Sequence, residues 1–335
     1  MKKILFIVNP TAGRTRGKSH MFEAADWFRD KGCEVTALTT TKKGDAEAFV
    51  GEYAGANSAV VCCGGDGTLN EVITGMMKLE QRDRKPIGYL PAGTTNDMAN
   101  TLHLPRNLKK AVRIVLGGNP LSQDVGCFGG SRYFTYIASF GAFTKTSYST
   151  PQRLKNLFGH FAYVLDGLKN LGDIHPSRLR VEIDGKPLEG EFIFGSVSNS
   201  TSIGGVLKLK DSDIGLDDGK FEVLLIRNPQ NMLEFQNLLH DLRRHRFSNP
   251  YVTFAHASRA AFHFDEPTDW TLDGEYAPGG TDTVIENLRG AVRLIRHEKP
   301  QISEETENPA KLIPQKFETE QKDDTGDRIH QNSFR

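Results

Sequence analysis

The stretch Gly64-Gly65-Asp66-Gly67-Thr68-Leu69-Asn70-Glu71 constrains this chain more than any other. It follows Ser58 to Cys63, a continuous apolar run of the kind a central parallel strand shows. It leads into a segment with helical character from about Leu69 to Lys78. Glycines at a strand–helix junction let the backbone approach a bulky anion and leave amide N–H groups free to bind it. The helix N-terminus adds positive potential at the same point. By position and composition this is a phosphate site. It is not a Walker loop, because no Gly-Lys-Ser/Thr follows, and it is not the GxGxxG dinucleotide fingerprint. A carboxylate beside phosphates is repelled unless Mg²⁺ lies between them, which makes Asp66 a candidate metal contact.

Such a junction needs a sheet around it, and the first third of the chain supplies one. Ile4 to Val8 reads as a strand ending in the turn Asn9-Pro10-Thr11-Ala12-Gly13. Residues 18–31 carry helical periodicity through Met21, Phe22, Ala25 and Phe28, and Gly32 stops that helix. Glu34 to Thr40 is a second strand, and Asp45 is placed to cap a helix running to about Tyr53. Ile87 to Leu90 is a further strand, followed by Pro91-Ala92-Gly93-Thr94-Thr95-Asn96-Asp97 and a helix from about Asn96. This rhythm predicts a doubly wound α/β domain over residues 1–125. In an open α/β sheet ligands bind at the carboxyl ends of the strands, so the loops after Val8, Cys63 and Leu90 should lie side by side. Thr94, Thr95 and Asn96 either offer polar groups to a nucleotide or cap the next helix. Asp97, like Asp66, is a carboxylate beside a phosphate site and points to Mg²⁺.

The texture changes near residue 120. Arg132 to Ser139, Arg178 to Ile183, Glu191 to Val197, Lys220 to Ile226, Tyr251 to Ala255, Ala260 to Phe264 and Asp269 to Leu272 are short, alternating or aromatic-rich runs. Turn signals such as Asp184-Gly185 and Asp218-Gly219 separate them. That pattern predicts an antiparallel β-sandwich domain over 126–297, interrupted by helices at about 153–171 and 230–243. Ala291 to Arg296 is a last strand, free to return to the first domain. Residues 298–335 are polar with few aromatics and read as a disordered tail.

Composition narrows the partners. Lys plus Arg and Asp plus Glu each total 42, so no global basic field argues for nucleic acid. Cys33, Cys62, Cys63 and Cys127 show no CxxC spacing and read as buried thiols in a reducing compartment. The histidines show no metal-ligand spacing. No run approaches the roughly 20 apolar residues of a membrane-spanning helix. Ile4 to Val8 is too short for a signal peptide and is followed by Asn9-Pro10 rather than a cleavage site. A cytoplasmic protein working from the water side is expected.

Asn9 to Gly13, Gly64 to Glu71, Gly93-Thr94-Thr95-Asn96-Asp97 and Leu272-Asp273-Gly274-Glu275 together resemble, in order, the diacylglycerol kinase catalytic family. That family includes bacterial diacylglycerol kinases, related lipid kinases and sphingosine kinases, and the resemblance covers roughly residues 1–297. Gly-Gly-Asp-Gly-Thr is shared with NAD kinases and phosphofructokinases; the combination with the other motifs is specific. The resemblance implies ATP contacts at Asn9, Pro10, Thr11, Ala12, Gly13, at Thr40, from Gly65 to Glu71 (Asp66, Gly67, Thr68, Leu69 and Asn70 included) and at Thr94. It also implies a structural Mg²⁺ in Gly215-Leu216-Asp217-Asp218-Gly219-Lys220, held by the Asp218 carboxylate and backbone oxygens near Gly215 and Lys220. On the residues alone, Asp217-Asp218-Gly219 is first a hairpin turn. Finally, it implies a catalytic carboxylate in the Leu272–Glu275 motif. Phosphoryl transfer to an alcohol needs a group that takes the hydroxyl proton. Asp273 is the first choice, and Glu275 is an alternative base or a group touching magnesium or ribose.

The implied activity is an ATP- and Mg²⁺-dependent lipid kinase of phospholipid biosynthesis that converts diacylglycerol to phosphatidic acid. An NAD kinase-like nucleotide phosphorylator, or a lipid kinase acting on another lipid alcohol such as phosphatidylglycerol or sphingosine, is the rival, and a silent nucleotide- or lipid-binding protein a third reading. The substrate implies peripheral contact with the inner face of the membrane. Lys145, Arg153, Lys155, Lys169, Arg14, Arg16 and Lys18, interleaved in the middle segment with Phe143, Tyr148, Leu154, Leu157, Phe158, Phe161 and Tyr163, form a surface suited to anionic headgroups. The same side chains also fit a solvated helix with an apolar face in the core. The sequence leaves the oligomeric state open, with a homodimer among the options.

Overall fold

Strands, three of them buried on both faces and one at a half-exposed edge, alternate with helices through the N-terminal domain. In chain order these are β1 (Lys3–Val8), α1 (Arg16–Asp30), β2 (Glu34–Thr39), α2 (Asp45–Tyr53), β3 (Ala59–Gly64), α3 (Asp66–Met77), β4 (Ile87–Pro91), α4 (Asp97–Thr101) and α5 (Leu108–Gly117). The computed structural model describes residues 2–13, 16–141, 175–200, 202–203, 207–208, 215–244 and 246–297. The expected helix at 153–171, the basic and aromatic residues between 143 and 169, Arg14 and the expected tail lie outside the described residues.

β2, β1, β3 and β4 pair in parallel in that order. Side chains alternate across the sheet with the period of a strand. Leu5, Ile7, Val60 and Cys62 meet α2 and α3 on one face through Val50, Val72, Ile73 and Met76. Phe6, Val8, Val61 and Cys63 meet α1 and α5 on the other through Phe28, Val112 and Val115. The adjacent cysteines thus point to opposite faces, and all four are buried free thiols. α3 begins at Asp66, earlier than the expected Leu69, because Gly65 takes the extended N-cap conformation. Asp66, Gly67 and Thr68 are therefore the first helical turn. Asp45 is likewise inside α2, with Gly44 at the cap in the left-handed region.

The second half contains β5 (Asn119–Phe128), β6 (Arg132–Phe134), β7 (Ile137–Gly141), β8 (Ser177–Ile183), β9 (Lys186–Ser198), β10 (Ser202–Ile203), β11 (Leu207–Lys208), β12 (Phe221–Arg227), α6 (Met232–Arg243), β13 (Val252–Ala257), β14 (Arg259–Phe264), β15 (Trp270–Leu272), β16 (Glu275–Ala277) and β17 (Asp282–Arg296). The antiparallel order β16-β15-β7-β9-β8-β14-β17 continues directly into β4 of the first domain, and β12 and β13 extend from β9. Trp270 anchors the core of this β-sandwich domain, its ring 4.8 Å from Phe140, 5.0 Å from Phe262 and 5.4 Å from Phe128. Replacing such a side chain with alanine costs about 3–5 kcal/mol.

The expected strand Arg132 to Ser139 is two strands, β6 and β7, with a break at Thr135-Tyr136. The expected last strand is far longer, because β17 runs from Asp282 to Arg296. It pairs with β14, with almost the whole of β5, and at Leu294 in parallel with Ile87 of β4.

Candidate active site

Three loops meet at the carboxyl ends of β1, β3 and β4. The Asn9 amide donates to the Cys63 carbonyl (2.9 Å), and the amides of Ala92 and Gly93 donate to the Gly64 carbonyl (2.8 and 3.1 Å). Asn9 is the main fastener of the first loop. Its Oδ1 accepts from the Thr11 amide (3.0 Å) and hydroxyl (2.8 Å), while its Nδ2 donates to Thr68 Oγ1 (3.2 Å). Pro10 is carried in that turn, Ala12 is buried beneath it, and Gly13 closes it at φ 55°. The Thr40 amide donates to the Val8 carbonyl (2.9 Å), which sets Thr40 at the same edge. Gly93 must be glycine: a Cβ there would stand 2.5 Å from Gly65 Cα, so the two phosphate-type loops pack backbone to backbone.

Several side chains of the expected nucleotide set turn elsewhere. Leu69 lies fully in the core. Glu71 Oε2 accepts from the Ala46 amide (3.2 Å) and so supports the first turn of α2. Asn96 is buried in the left-handed region at φ 55°, its Nδ2 donating to the Gly93 carbonyl (2.8 Å) and its Oδ1 accepting from Tyr89 Oη (3.3 Å). It braces the loop, and its side chain is not presented to a ligand. Thr94 remains exposed beside it.

The carboxylates need separate description. Asp66 Oδ2 accepts from the Asp97 amide (3.0 Å) and Oδ1 from the Met98 amide (3.1 Å). It therefore caps α4 from the first turn of α3, with each carboxylate oxygen holding one backbone amide. Burial pushes its carboxyl up, against the backbone amides that pull it down. Asp97 is half-buried and pushed up to about 6, by burial first and then by repulsion from Asp66 and Asp273, with Arg106 opposing. Three carboxylates thus share one poorly solvated field, which a divalent cation would relieve. Among the described residues, however, no three His, Cys, Asp or Glu side chains converge as a metal cage.

Asp273 and Gly274 form the two-residue turn joining β15 to β16, with φ 49° and 80° and Leu272 opposite Glu275. Positive φ at both positions is the signature of a type I′ hairpin, which Asp-Gly favours. The turn folds the Asp273 side chain inward. Its Oδ1 accepts from the amides of Tyr136 (2.9 Å) and Ile137 (3.1 Å), and its Oδ2 accepts from the Thr135 amide (2.6 Å) and Asn70 Nδ2 (2.8 Å). Burial pushes this carboxyl up to about 6 even though all four donors pull it down. With four N–H groups in place, its acceptor sites are filled. Glu275 differs. It is exposed, and a Cβ on Gly67 would stand 3.4 Å from its Oε1, so the carboxylate lies against the glycine loop. Its Oε2 pairs with Lys43 Nζ.

In the 215–220 loop, Asp218 Oδ1 accepts from the Lys220 amide (2.8 Å), and a Cβ on Gly215 would stand 2.5 Å from Asp218 Oδ2. The organiser of this loop is Asp124, which sequence reasoning missed. Its carboxylate accepts from the amides of Gly219 and Gly290 (both 2.7 Å), and its own amide donates to the Leu216 carbonyl (2.8 Å). The Leu216 and Asp217 carbonyls are taken by the Asp124 amide and by Arg289 Nε (3.2 Å), so the exposed Asp217 and Asp218 carboxylates are what this loop offers a hard cation that keeps several waters. Lys43 was also missed, although the polar run Thr40 to Gly44 after β2 marks another loop at the same sheet edge.

The chain matches the model of the diacylglycerol kinase catalytic domain over residues 3–128, and the model of the YegS C-terminal NAD kinase beta sandwich-like domain over 140–296. It is 34% identical over 283 residues to a diacylglycerol kinase of Bacillus subtilis, covering 82% of this chain and 90% of that protein. A diacylglycerol kinase of Staphylococcus carnosus is 33% identical, with 82% and 89% covered. Among solved structures, a diacylglycerol kinase from Bacillus anthracis superposes with a TM-score of 0.71 at 22% identity, covering 88% of this chain and 97% of that one. Yeast NADH kinase shares the fold more distantly, with a TM-score of 0.52 at 10% identity over 89% and 84% of the two chains.

Proposed function

The chain belongs to the diacylglycerol kinase catalytic family, and from that premise we propose that it transfers the γ-phosphoryl of ATP to the free hydroxyl of diacylglycerol, giving phosphatidic acid. The phosphates lie over the glycine loop Gly64 to Thr68 at the N-terminus of α3, beside the turn Asn9 to Gly13, whose Asn9, Thr11 and Ala12 amides are already bonded within the protein, with Thr40 and Thr94 at the rim. Mg²⁺, when bound, neutralises phosphate charge, and Asp97 is the carboxylate of the site best placed to hold it. Asp66 and Asp273 act through position: the first fixes α4, the second locks the hairpin that presents Glu275.

Glu275 takes the hydroxyl proton. The observation carrying this reading is the contrast between two neighbouring carboxylates: Asp273 has its acceptor sites filled by four N–H donors, whereas Glu275 faces the glycine loop. As that proton moves to Glu275, the lipid oxygen bonds to the γ-phosphorus. The bond to the β–γ bridging oxygen breaks, and ADP leaves. Such transfer depends on positioning and charge neutralisation, with no covalent enzyme intermediate. Asp218 would hold a second Mg²⁺, which would neutralise the paired Asp217 and Asp218 charges in that loop. The substrate is met at a membrane surface; among the described residues no helix is long and apolar enough to cross a membrane.

The test is incubation with labelled ATP and vesicles containing diacylglycerol, with phosphatidylglycerol, sphingosine and NAD as competing acceptors. Label in phosphatidic acid is the expected result. Label in NADP alone would overturn the lipid assignment and favour the nucleotide phosphorylator.

A further inference from the structure

We propose that Lys43 is a phosphate-binding residue for the nucleotide, and that its ion pair with Glu275 is the arrangement with which nucleotide competes. The inference rests on the kinase reading and adds a residue that no motif contains. The loop from Thr40 to Gly44 is built to hold Lys43 in place. Asp45 Oδ2 accepts from the Thr41 amide (2.7 Å), the Thr41 hydroxyl (2.8 Å) and the Lys42 amide (3.0 Å), and Gly44 turns the chain at φ 89°. The backbone under Lys43 is thus fixed, while its side chain is 77% exposed and reaches across to Glu275.

Where that carboxylate sits gives the pair its meaning. Glu275 Oε1 lies against Gly67, in the first turn of the 12-residue helix α3. A helix N-terminus attracts anionic oxygen atoms, and an ammonium group beside it strengthens the attraction. Carboxylate and phosphate answer to the same field, but phosphate carries more charge and more acceptor atoms. The pair is not needed to hold the molecule together. Exposed ion pairs contribute little net stability, and each partner's backbone is fixed by other bonds: those of Asp45 on one side and those of Asp273 on the other. Exchange of Lys43 from Glu275 to phosphate would free the Glu275 carboxylate for the lipid hydroxyl when nucleotide is bound. Base availability is then tied to nucleotide occupancy.

Calorimetry on the full chain with Mg²⁺ and ATP, ADP or adenosine tests this, using wild type, Lys43→Met, Lys43→Arg and Glu275→Gln. Lys43→Met should weaken ATP and ADP by about tenfold to a hundredfold, the loss of a charge-assisted contact, and leave adenosine unchanged. Lys43→Arg should restore most of the affinity. Glu275→Gln should tighten ADP by a few fold, because the competing anion is gone. Equal ADP affinity in Lys43→Met and wild type would overturn the proposal. So would weakened ADP binding in Glu275→Gln, since the carboxylate would then be helping nucleotide and not opposing it. If wild type binds no adenine nucleotide at all, the kinase reading itself fails, an outcome distinct from either of these. Thermal melts of each variant confirm that it is folded.

Discussion

Asp273→Asn replaces a carboxylate by a group of nearly the same shape, yet the structure expects it to damage the fold. The four donors around Asp273 converge in two pairs, Tyr136 and Ile137 on one oxygen, Thr135 and Asn70 on the other. An asparagine has one carbonyl oxygen. Its NH₂ group is best tolerated on the Asn70 side, where the Asn70 amide can flip, but that flip sacrifices the Asn70 bond to the Tyr133 carbonyl (3.2 Å). The Thr135 amide then faces a donor in a buried place. An unpaired buried donor costs about 1–3 kcal/mol and the lost side-chain bond about 1, partly offset by removal of a desolvated charge. A net loss of about 2–3 kcal/mol lowers Tm by roughly 3–5 °C, since about 2.1 cal/mol/K of unfolding entropy per residue gives a chain of this size ~0.65 kcal/mol/K. Scanning calorimetry of the variant beside wild type, with lipid phosphorylation measured well below both melts, reads stability and turnover separately. A melt within about 1 °C of wild type together with a kcat loss of ~10² or more would refute the reasoning and restore Asp273 as the base.

Glu275→Gln should reduce kcat by ~10²–10⁴ with little change in Tm, and normal turnover in the lipid assay would remove it as proton acceptor. Gly93→Ala should abolish nucleotide binding in calorimetry, since its Cβ would stand 2.5 Å from Gly65 Cα and force two loops apart. Asp218→Ala should blunt the rise in Tm on adding Mg²⁺; an equal rise in mutant and wild type would end the case for a metal in that loop. Asp97 titrates near 6 in the folded chain against 3.8 as its ordinary value, so the native state holds a proton there that the unfolded chain has released. Its ionised form therefore penalises folding above about pH 6, and the penalty fades as pH falls toward 4. Asp97→Asn should exceed wild type in Tm at pH 7, with the gap narrowing below pH 6 and nearly closed at about pH 4.

The parallel sheet was legible because β1, β3 and β4 are buried on both faces and leave continuous apolar runs. The glycine loops were legible for a related reason: close backbone approach requires glycine, and Gly65 against Gly93 shows that approach. Long-range carboxylate assignments were not. Asp66 caps a helix 31 residues away, and nothing in the intervening sequence marks that bond. Asp273 and Glu275 flank one glycine symmetrically in sequence; only the positive φ of Asp273 sends one side chain inward and leaves the other out. Asp124 is a buried acid in a strand whose partners, Gly219 and Gly290, are backbone amides and so leave no side-chain signal.

The fifteen residues of β17 carry a consequence for how the chain is made. Synthesis delivers β1 to β5 early, but β5 has β17 along almost its whole length, and β4 meets the same strand at Leu294. The N-terminal half therefore leaves the ribosome with an open flank, and that flank closes only when β17 emerges. Contacts so distant in sequence slow folding and prolong exposure of unpaired edges. A nonsense mutation anywhere before residue 282 would strip the strand that closes the first domain along with the end of the second, leaving an aggregation-prone fragment in place of a half-enzyme.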